Sequence, residues 1–251
     1  MHNDLFSIGP LTVHGYGLMI GLGVVAALLL SWRRAEKRNM SQDGVTTLTM
    51  VLLISGFLCA KLVFLLTHPD LVRRDLWTAL GSEGFVVYGG IMGGLLGAWI
   101  FCRRRRESLL RWADLVLPGV AVAQGLGRIG CYLAGCCYGK VTASPLGVVF
   151  PAGSLAPAGI PLLPTQLFSA AGDLLLAGAL LLLDRKKRPE GALLAWYLLL
   201  YGVGRFFVEF LRDDVRGSVG ALSVSQFLSL FAVAGAGLTA LWLRRRENHA
   251  E

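Results

Sequence analysis

The feature that most constrains this sequence is a series of seven apolar stretches, each long enough to cross a lipid bilayer. They lie near residues 15–32, 45–66, 84–101, 113–133, 165–183, 191–211 and 222–243. At about 1.5 Å of rise per residue, roughly 20 residues of helix cross a hydrocarbon core of about 30 Å. Only 16% of the residues are charged, whereas a soluble domain carries about a quarter. We therefore predict an all-α fold, a polytopic transmembrane bundle of about seven helices that forms a single integral membrane domain over residues 1–251.

Lys and Arg residues cluster on alternate connections between these stretches. The connections after the first, third and fifth stretches, together with the C-terminal tail, hold most of the 24 Lys and Arg residues. Because cytoplasmic connections carry the excess of Lys and Arg, we expect the N-terminus outside and the C-terminus in the cytoplasm. Basic clusters beside anionic lipid headgroups account for the net charge of +8, so no nucleic-acid partner is expected.

Several ionisable residues lie within the apolar stretches, where they are costly and therefore line a polar cavity or pair with one another. For Lys61 and Asp173 we favour a structural role, by pairing or by reaching the membrane interface. Asp114 is expected at the start of the fourth helix, where a carboxylate suits the helix dipole.

Two arginines point to a binding site. Arg205 and Glu209 are four residues apart and share one helix face, which fits a structural ion pair and a functional site equally. Arg128 has glycines on both sides, at 127 and 130, and a guanidinium matches the geometry of a phosphate. The residues alone thus predict a site for the anionic headgroup of a membrane phospholipid.

Residues 127–139 read G-R-I-G-C-Y-L-A-G-C-C-Y-G, which resembles the pattern G-R-x-G-N-F-x-N-x-E-x-x-G of the bacterial prolipoprotein diacylglyceryl transferases. Five further blocks resemble that family in the same order: Y-G-L-M at 16–19, G-G-I-M-G at 89–93, A-D at 113–114, P-T-Q-L at 164–167 and G-R-F-F-V-E-F-L-R at 204–212. The resemblance spans nearly the whole chain. It implies seven helices in the bacterial cytoplasmic (inner) membrane, with the N-terminus outside.

The resemblance also implies a reaction and its partners. Such enzymes move the diacylglyceryl group of phosphatidylglycerol to the lipobox cysteine thiol in the signal peptide of a prolipoprotein, and glycerol phosphate leaves. Arg128, Arg205 and Gly139 match positions that would bind phosphatidylglycerol, with Gly139 providing tight backbone geometry. Tyr16, Tyr88, Arg205 and Glu209 match the catalytic positions, where Glu209 would orient Arg205 and Tyr16 would hydrogen-bond the headgroup. No cofactor is implied.

The sequence departs from the family pattern at several positions. Tyr88 stands where the family has a histidine, and we expect its hydroxyl to reach either the headgroup or the incoming thiol. Cys131, Ala134 and Cys136 replace an Asn, an Asn and a Glu, while Leu163 and Ser169 replace a His and a Glu. Two alternatives therefore stay open: a non-catalytic phospholipid-binding or lipid-transport bundle, and a transferase with a different acceptor.

Three cysteines, Cys131, Cys136 and Cys137, cluster at one end of the fourth stretch. We favour a packing variant, with a disulfide as one form of it, over a reactive thiol that accepts an acyl or glyceryl group. We expect no metal site, because the histidines show no ligand spacing near these cysteines.

Overall fold

The computed structural model describes residues 4–8, 11–82, 84–213, 217–220 and 222–248. Its helices are α1 (Gly15–Lys37), α2 (Gln42–Thr67), α3 (Pro69–Arg74), α4 (Leu76–Gly81), α5 (Val87–Arg105), α6 (Leu109–Ala134), α7 (Thr165–Leu183), α8 (Ala192–Glu209) and α9 (Val224–Asn248). Its strands form three antiparallel pairs: β1 (Asp4–Ile8) with β2 (Leu11–His14), β3 (Val148–Val149) with β4 (Pro161–Leu162), and β5 (Ser218–Val219) with β6 (Leu222–Ser223).

Each predicted apolar stretch is helical. In the described part of the chain, six helices (α1, α2, α6, α7, α8 and α9) are long and apolar enough to cross a membrane. The remaining stretch corresponds to α5, whose last turn is occupied by Arg103, Arg104 and Arg105 and is therefore polar. Large apolar side chains such as Leu66 and Leu175 stay 70% and 74% exposed, as expected when lipid is the solvent. The prediction of an all-α polytopic bundle is confirmed.

The chain divides into two compact units, and each is described by itself. The smaller unit is Trp32–Trp112, and the larger unit combines Met1–Ser31 with Ala113–Glu251. The expectation of one membrane domain over residues 1–251 stays a prediction.

In the smaller unit, α2 and α5 pack closely along their lengths. At Gly93, a Cβ would lie only 2.4 Å from both the Ser55 carbonyl oxygen and the Cys59 Cβ, so glycine is required for this approach. The Lys61 Nζ donates to the carbonyl oxygen of Ser82 at 2.6 Å and to its hydroxyl at 3.1 Å. Lys61 thus ties α2 to the connection after α4, in line with the structural role expected of it.

In the larger unit, α6, α7 and α8 enclose an apolar core. Its buried members are Ala121, Leu176, Ala177, Leu180 and Leu193. One expectation is wrong here: α6 begins at Leu109, so Asp114 does not lie in its first turn. The Asp114 carboxylate instead accepts hydrogen bonds from the backbone N–H groups of Gly191 (2.7 Å) and Leu194 (2.9 Å), and so caps the N-terminus of α8.

The connection from α6 to α7 is the longest between helices in the described residues. It contains the β3–β4 pair and a small core in which Phe150, Ala156 and Leu162 are buried. The Leu163 N–H donates to the Lys140 carbonyl oxygen at 2.9 Å, so the start and the end of the connection lie side by side.

Candidate active site

Arg128 and Arg205, from α6 and α8, line one cavity of about 370 Å³ in the larger unit. Asp173 of α7 and Tyr201 of α8 line it as well. The rest of the wall is mainly apolar and consists of Phe168, Ser169, Gly172, Leu175, Leu176, Ala179, Leu200, Gly204 and Val208. Arg128 lies within electrostatic range of Asp173 and Tyr201. A cavity with two guanidinium groups and one carboxylate in an apolar wall suits an anionic group that carries hydrocarbon chains.

The Arg205 guanidinium is held in place from two sides. Its Nη1 lies 2.8 Å from Glu209 Oε2, and both side chains are buried, with 11% and 8% of their surface exposed. Its Nη2 donates to the Ser225 hydroxyl of α9 at 2.8 Å. The Nε of Arg212 lies 3.9 Å from the same Glu209 oxygen. Glu209 therefore balances two arginines, and fixing Arg205 in advance lowers the entropy cost of binding an anion.

Tyr16 lies in the first helical turn of α1 and close to α6. A Cβ on Gly130 would stand 3.2 Å from the Tyr16 ring and from the Met19 side chain, so α1 packs directly on α6 at this level. Tyr16 is also within electrostatic range of Arg128 and of the three cysteines at the end of α6.

These three cysteines form a cluster, which we call the cysteine cluster (Cys131, Cys136 and Cys137). Gly135, with φ +73°, ends α6 in the left-handed conformation, and the Cys136 N–H then bonds back to the Cys131 carbonyl oxygen at 3.1 Å. The three sulfur atoms consequently lie within 4.8 Å of one another, close enough to bind one metal ion. All five cysteines of the chain lie in the described residues and are free thiols, so the predicted packing variant does not take the form of a disulfide.

The turn after α6 is fixed by the start of α7. The Thr165 hydroxyl donates to the Cys137 carbonyl oxygen at 2.9 Å, and the Gln166 amide donates to the Cys136 carbonyl oxygen at 2.7 Å. Hydrogen bonds from the other two thiols of the cluster, and from the Arg212 guanidinium, lower the pKa of the Cys137 thiol. Arg212 thus connects the cysteine cluster to Glu209 and, through it, to Arg205.

Gly139 lies where three segments meet. Its N–H donates to the Leu163 carbonyl oxygen at 2.9 Å, and it pairs with Arg212 in an isolated β-bridge. A Cβ would stand 2.7 Å from the Leu211 carbonyl oxygen and 2.7 Å from the Thr165 side chain. The position therefore requires glycine because the backbones approach too closely for any side chain.

Comparison with known proteins identifies the family. Residues 3–242 match a family that is described as "Prolipoprotein diacylglyceryl transferase". The chain is 47% identical over 238 residues to phosphatidylglycerol–prolipoprotein diacylglyceryl transferase 2 of Clostridium perfringens, covering 92% of this chain and 91% of the relative. It is 44% identical over 236 residues to the enzyme of that name from Clostridium tetani, covering 91% and 92%. The chain belongs to the prolipoprotein diacylglyceryl transferase family.

The relationship extends to more distant members of the diacylglyceryl transferase family. The chain is 32% identical over 249 residues to phosphatidylglycerol–prolipoprotein diacylglyceryl transferase of Dehalococcoides mccartyi, covering 98% of this chain and 95% of the relative. Because the match covers nearly the full length of each relative, the larger and the smaller unit both belong to the shared architecture.

The structure brings some of the family-pattern residues together. Arg128 and Arg205 share the cavity, Glu209 pairs with Arg205, and Tyr16 lies within electrostatic range of Arg128 and the cysteine cluster. Tyr88, at the position of the family's histidine, lies in the first turn of α5 in the smaller unit and is 42% exposed. Its role stays a prediction.

Three residues of this transferase site were missed from the sequence. Asp173 lines the cavity, although a lone aspartate in an apolar stretch suggested only a structural role. The contacts of Ser225 with Arg205 and of Gln166 with Cys136 could not be predicted from local spacing, because each joins residues distant in sequence. Gln166 did lie within a block that resembles the family, and this was the available hint.

Proposed function

We propose that this chain transfers the diacylglyceryl group of phosphatidylglycerol to the lipobox cysteine thiol of prolipoproteins. The observation that carries the proposal is the shared cavity of Arg128 and Arg205, in a chain of the diacylglyceryl transferase family. Two cationic side chains match a phosphate that departs with negative charge, and the apolar wall matches the acyl chains.

The reaction makes three physical demands. The phosphate must be neutralised as the carbon–oxygen bond breaks, the acceptor thiol must become a thiolate, and the two must be aligned. Arg128 and Arg205 meet the first demand in this proposal, and Glu209 acts by positioning Arg205 through their 2.8 Å contact. No general acid is needed for a phosphate leaving group that arginine neutralises.

The remaining family-pattern residues have supporting roles in the proposal. The Tyr16 hydroxyl hydrogen-bonds the glycerol headgroup beside Arg128, which its proximity to that arginine supports. The Tyr88 hydroxyl contacts the headgroup or the acceptor. Gly139 acts on phosphatidylglycerol binding through the backbone, by letting the turn after α6 lie against Leu163 and Leu211.

We infer that the protein resides in the bacterial cytoplasmic membrane, with the N-terminus outside and the C-terminus in the cytoplasm. The distribution of Lys and Arg supports this orientation. Labelling of single cysteines introduced at residues 103–106 tests it: these positions should react with a membrane-impermeant maleimide only after the cells are permeabilised. Labelling in intact cells would reverse the assigned orientation.

The decisive test is a transfer assay. Purified protein in nanodiscs is mixed with phosphatidylglycerol and a synthetic lipobox peptide, and the product is analysed by mass spectrometry. We expect the peptide to gain one diacylglyceryl group through a thioether and free glycerol phosphate to appear in equal amount. A peptide with serine in place of the lipobox cysteine is the matched control and should gain nothing. Binding of phosphatidylglycerol without any transfer would instead support the non-catalytic lipid-binding alternative.

A further inference from the structure

We propose that the cysteine cluster binds one Zn²⁺ ion with three thiolate ligands, and that the open fourth position binds the acceptor thiol of the prolipoprotein. This inference rests on the proposed function, because it assigns the step that activates the acceptor. It gives the Cys131, Cys136 and Cys137 side chains a shared chemical role in place of the packing role predicted from the sequence.

The geometry fits the ion. Zinc in proteins is tetrahedral with Zn–S distances of about 2.3 Å, which places ligand sulfurs about 3.8 Å apart. The three sulfurs of the cluster already lie within 4.8 Å of one another, so side-chain rotations of modest size complete the site. The backbone that carries them is fixed by Thr165 and Gln166, as a metal site requires of its supporting contacts.

The charges fit as well. One Zn²⁺ ion with three thiolates has a net charge of −1, which an apolar setting disfavours unless a cation compensates it. The Arg212 guanidinium hydrogen-bonds Cys137, and Arg128 lies within electrostatic range of Cys131 and Cys137. Histidine spacing, on which the expectation of no metal rested, does not bear on a site made of sulfur ligands alone.

The position of the cluster points to catalysis as well as structure. Structural zinc sites have four protein ligands, whereas catalytic ones have three and keep one position open. Here three thiols converge, and Arg128 connects them to the cavity because it lines the cavity and interacts with two of the three. A thiol bound at the open position would thus stand beside the arginine that holds the phosphate.

The chemical step balances without a further reactant. The acceptor thiol displaces water from Zn²⁺ and releases its proton to solvent, because coordination to the ion deprotonates a thiol. Its sulfur then forms a bond with the glycerol carbon next to the phosphate, while the bond from that carbon to oxygen breaks and its electron pair leaves with glycerol phosphate. The neutral thioether is a weak ligand, so it departs and water returns. Zinc stays divalent throughout. The step therefore requires no change of oxidation state, and it favours zinc, which has no redox chemistry, over copper.

The first experiment measures the ion. The full chain is purified under reducing conditions, equilibrated with Zn²⁺, freed of excess metal and analysed by mass spectrometry for metal content. We expect about one zinc per chain, lost at least tenfold in Cys131→Ser, Cys136→Ser and Cys137→Ser. The matched controls are Cys59→Ser and Cys102→Ser, which remove cysteines of the smaller unit and should keep the zinc. No zinc in the unaltered chain, copper in its place, or equal zinc in the cluster variants would overturn the proposal.

The second experiment tests the open position and needs no variant. Co²⁺ replaces Zn²⁺, and its thiolate charge-transfer absorption is followed while a lipobox peptide is added. We expect the absorption to increase with the cysteine peptide and to stay unchanged with the serine peptide. An unchanged spectrum with both peptides would overturn the assignment of the fourth ligand.

The two proposals fail in distinguishable ways. The cobalt spectrum reports ligand binding without turnover, so it stays informative if no diacylglyceryl group is ever transferred, in which case the proposed function fails alone. Transfer that continues at full rate after a chelator has removed the metal, or in Cys136→Ser, overturns the zinc inference and leaves the proposed function intact.

Discussion

The cavity lined by Arg128 and Arg205, which we call the arginine cavity, lies in the same unit as the cysteine cluster. The two regions nevertheless relate to the family pattern in opposite ways. Arg128 and Arg205 line the cavity and match the pattern, as does Glu209, which pairs with Arg205 from outside the cavity wall. In the cluster, Cys131 and Cys136 replace an asparagine and a glutamate of the pattern, and three thiols converge. The arginine half of the site thus matches the pattern, whereas the cysteine half departs from it.

The difference follows from what each half has to do. A phosphate that leaves with negative charge in an apolar setting needs permanent positive charge, and only arginine supplies it in a fork that fits two oxygens at any physiological pH. A thiol can be activated in several ways, because any base or metal that lowers its pKa produces the nucleophile. The arginine half therefore has few chemical substitutes, whereas the half that activates the thiol has several.

The largest effect is expected from Arg128→Ala, which removes one side of the cavity's charge. A charge-assisted contact contributes up to about 3 kcal/mol, so kcat/KM for transfer should fall about 100-fold. The control is Arg73→Ala, which removes an exposed arginine of α3 and should have little effect. Steady-state transfer with the lipobox peptide measures both. Equal losses at the two positions would contradict the assignment of the phosphate site to the cavity.

Glu209→Gln should have the next largest effect, because it leaves Arg205 and Arg212 without their shared carboxylate. The amide keeps the shape and a weaker hydrogen bond, so we expect a loss of about 2 kcal/mol, or about 30-fold in transfer. The effect should appear mainly in kcat, since a misplaced guanidinium loses contact in the transition state more than in the bound lipid. An Arg205→Lys variant, which keeps the charge but loses the fork, should show the same division between kcat and KM.

The sequence predicted the helices well and the contacts between them poorly. Apolar length is a direct requirement of the bilayer, so the stretches near 165–183 and 191–211 became α7 and α8 almost to the residue. The start of α6 was placed too late because Arg111 interrupts the apolar run, although arginine is a good helix former. Asp114 was therefore expected in the first turn of α6, whereas its carboxylate caps the N-terminus of α8.

The same limit applies to the candidate site. The i, i+4 spacing was sufficient to predict that Arg205 and Glu209 share a face, because helix geometry is local. The contact of Arg205 with Ser225 and the place of Asp173 in the cavity depend on how separate helices pack, which no local pattern encodes. The cysteines were grouped correctly by their spacing. Their free thiols and mutual distances required the left-handed turn at Gly135 and the contacts of α7.

A third prediction tests whether the turn at Gly139 positions both the arginine cavity and the cysteine cluster. In Gly139→Ala, the added methyl group meets carbonyl oxygens of Leu211 and Leu163 at 2.7 and 2.8 Å, so the turn after α6 must move. We expect the free energy of unfolding to fall by about 1.5 kcal/mol, as overpacking typically costs. Gly153→Ala, at a glycine with open space around it but φ of +89°, is a control for backbone strain alone. If Gly139→Ala also lowers the zinc content and the affinity for phosphatidylglycerol, the turn positions both the cysteine cluster and the arginine cavity. Wild-type values for both measurements would show that neither depends on this turn.

The smallest effect is expected at Tyr88, and it decides how the acceptor thiol is activated. If zinc forms the thiolate, Tyr88 supplies only a neutral hydrogen bond to the headgroup or the acceptor. Tyr88→Phe should then cost about 1 kcal/mol, or about fivefold in kcat/KM, with the pH profile unchanged. Tyr88→His restores the residue of the family pattern, which titrates near neutral pH, and should add a pH dependence in that range without being required for activity. Complete loss in Tyr88→Phe together with full activity in Tyr88→His would instead make Tyr88 the proton acceptor. Because that outcome leaves no step for the metal to perform, the pH profile of these two variants measures directly whether Tyr88 or the cysteine cluster activates the thiol.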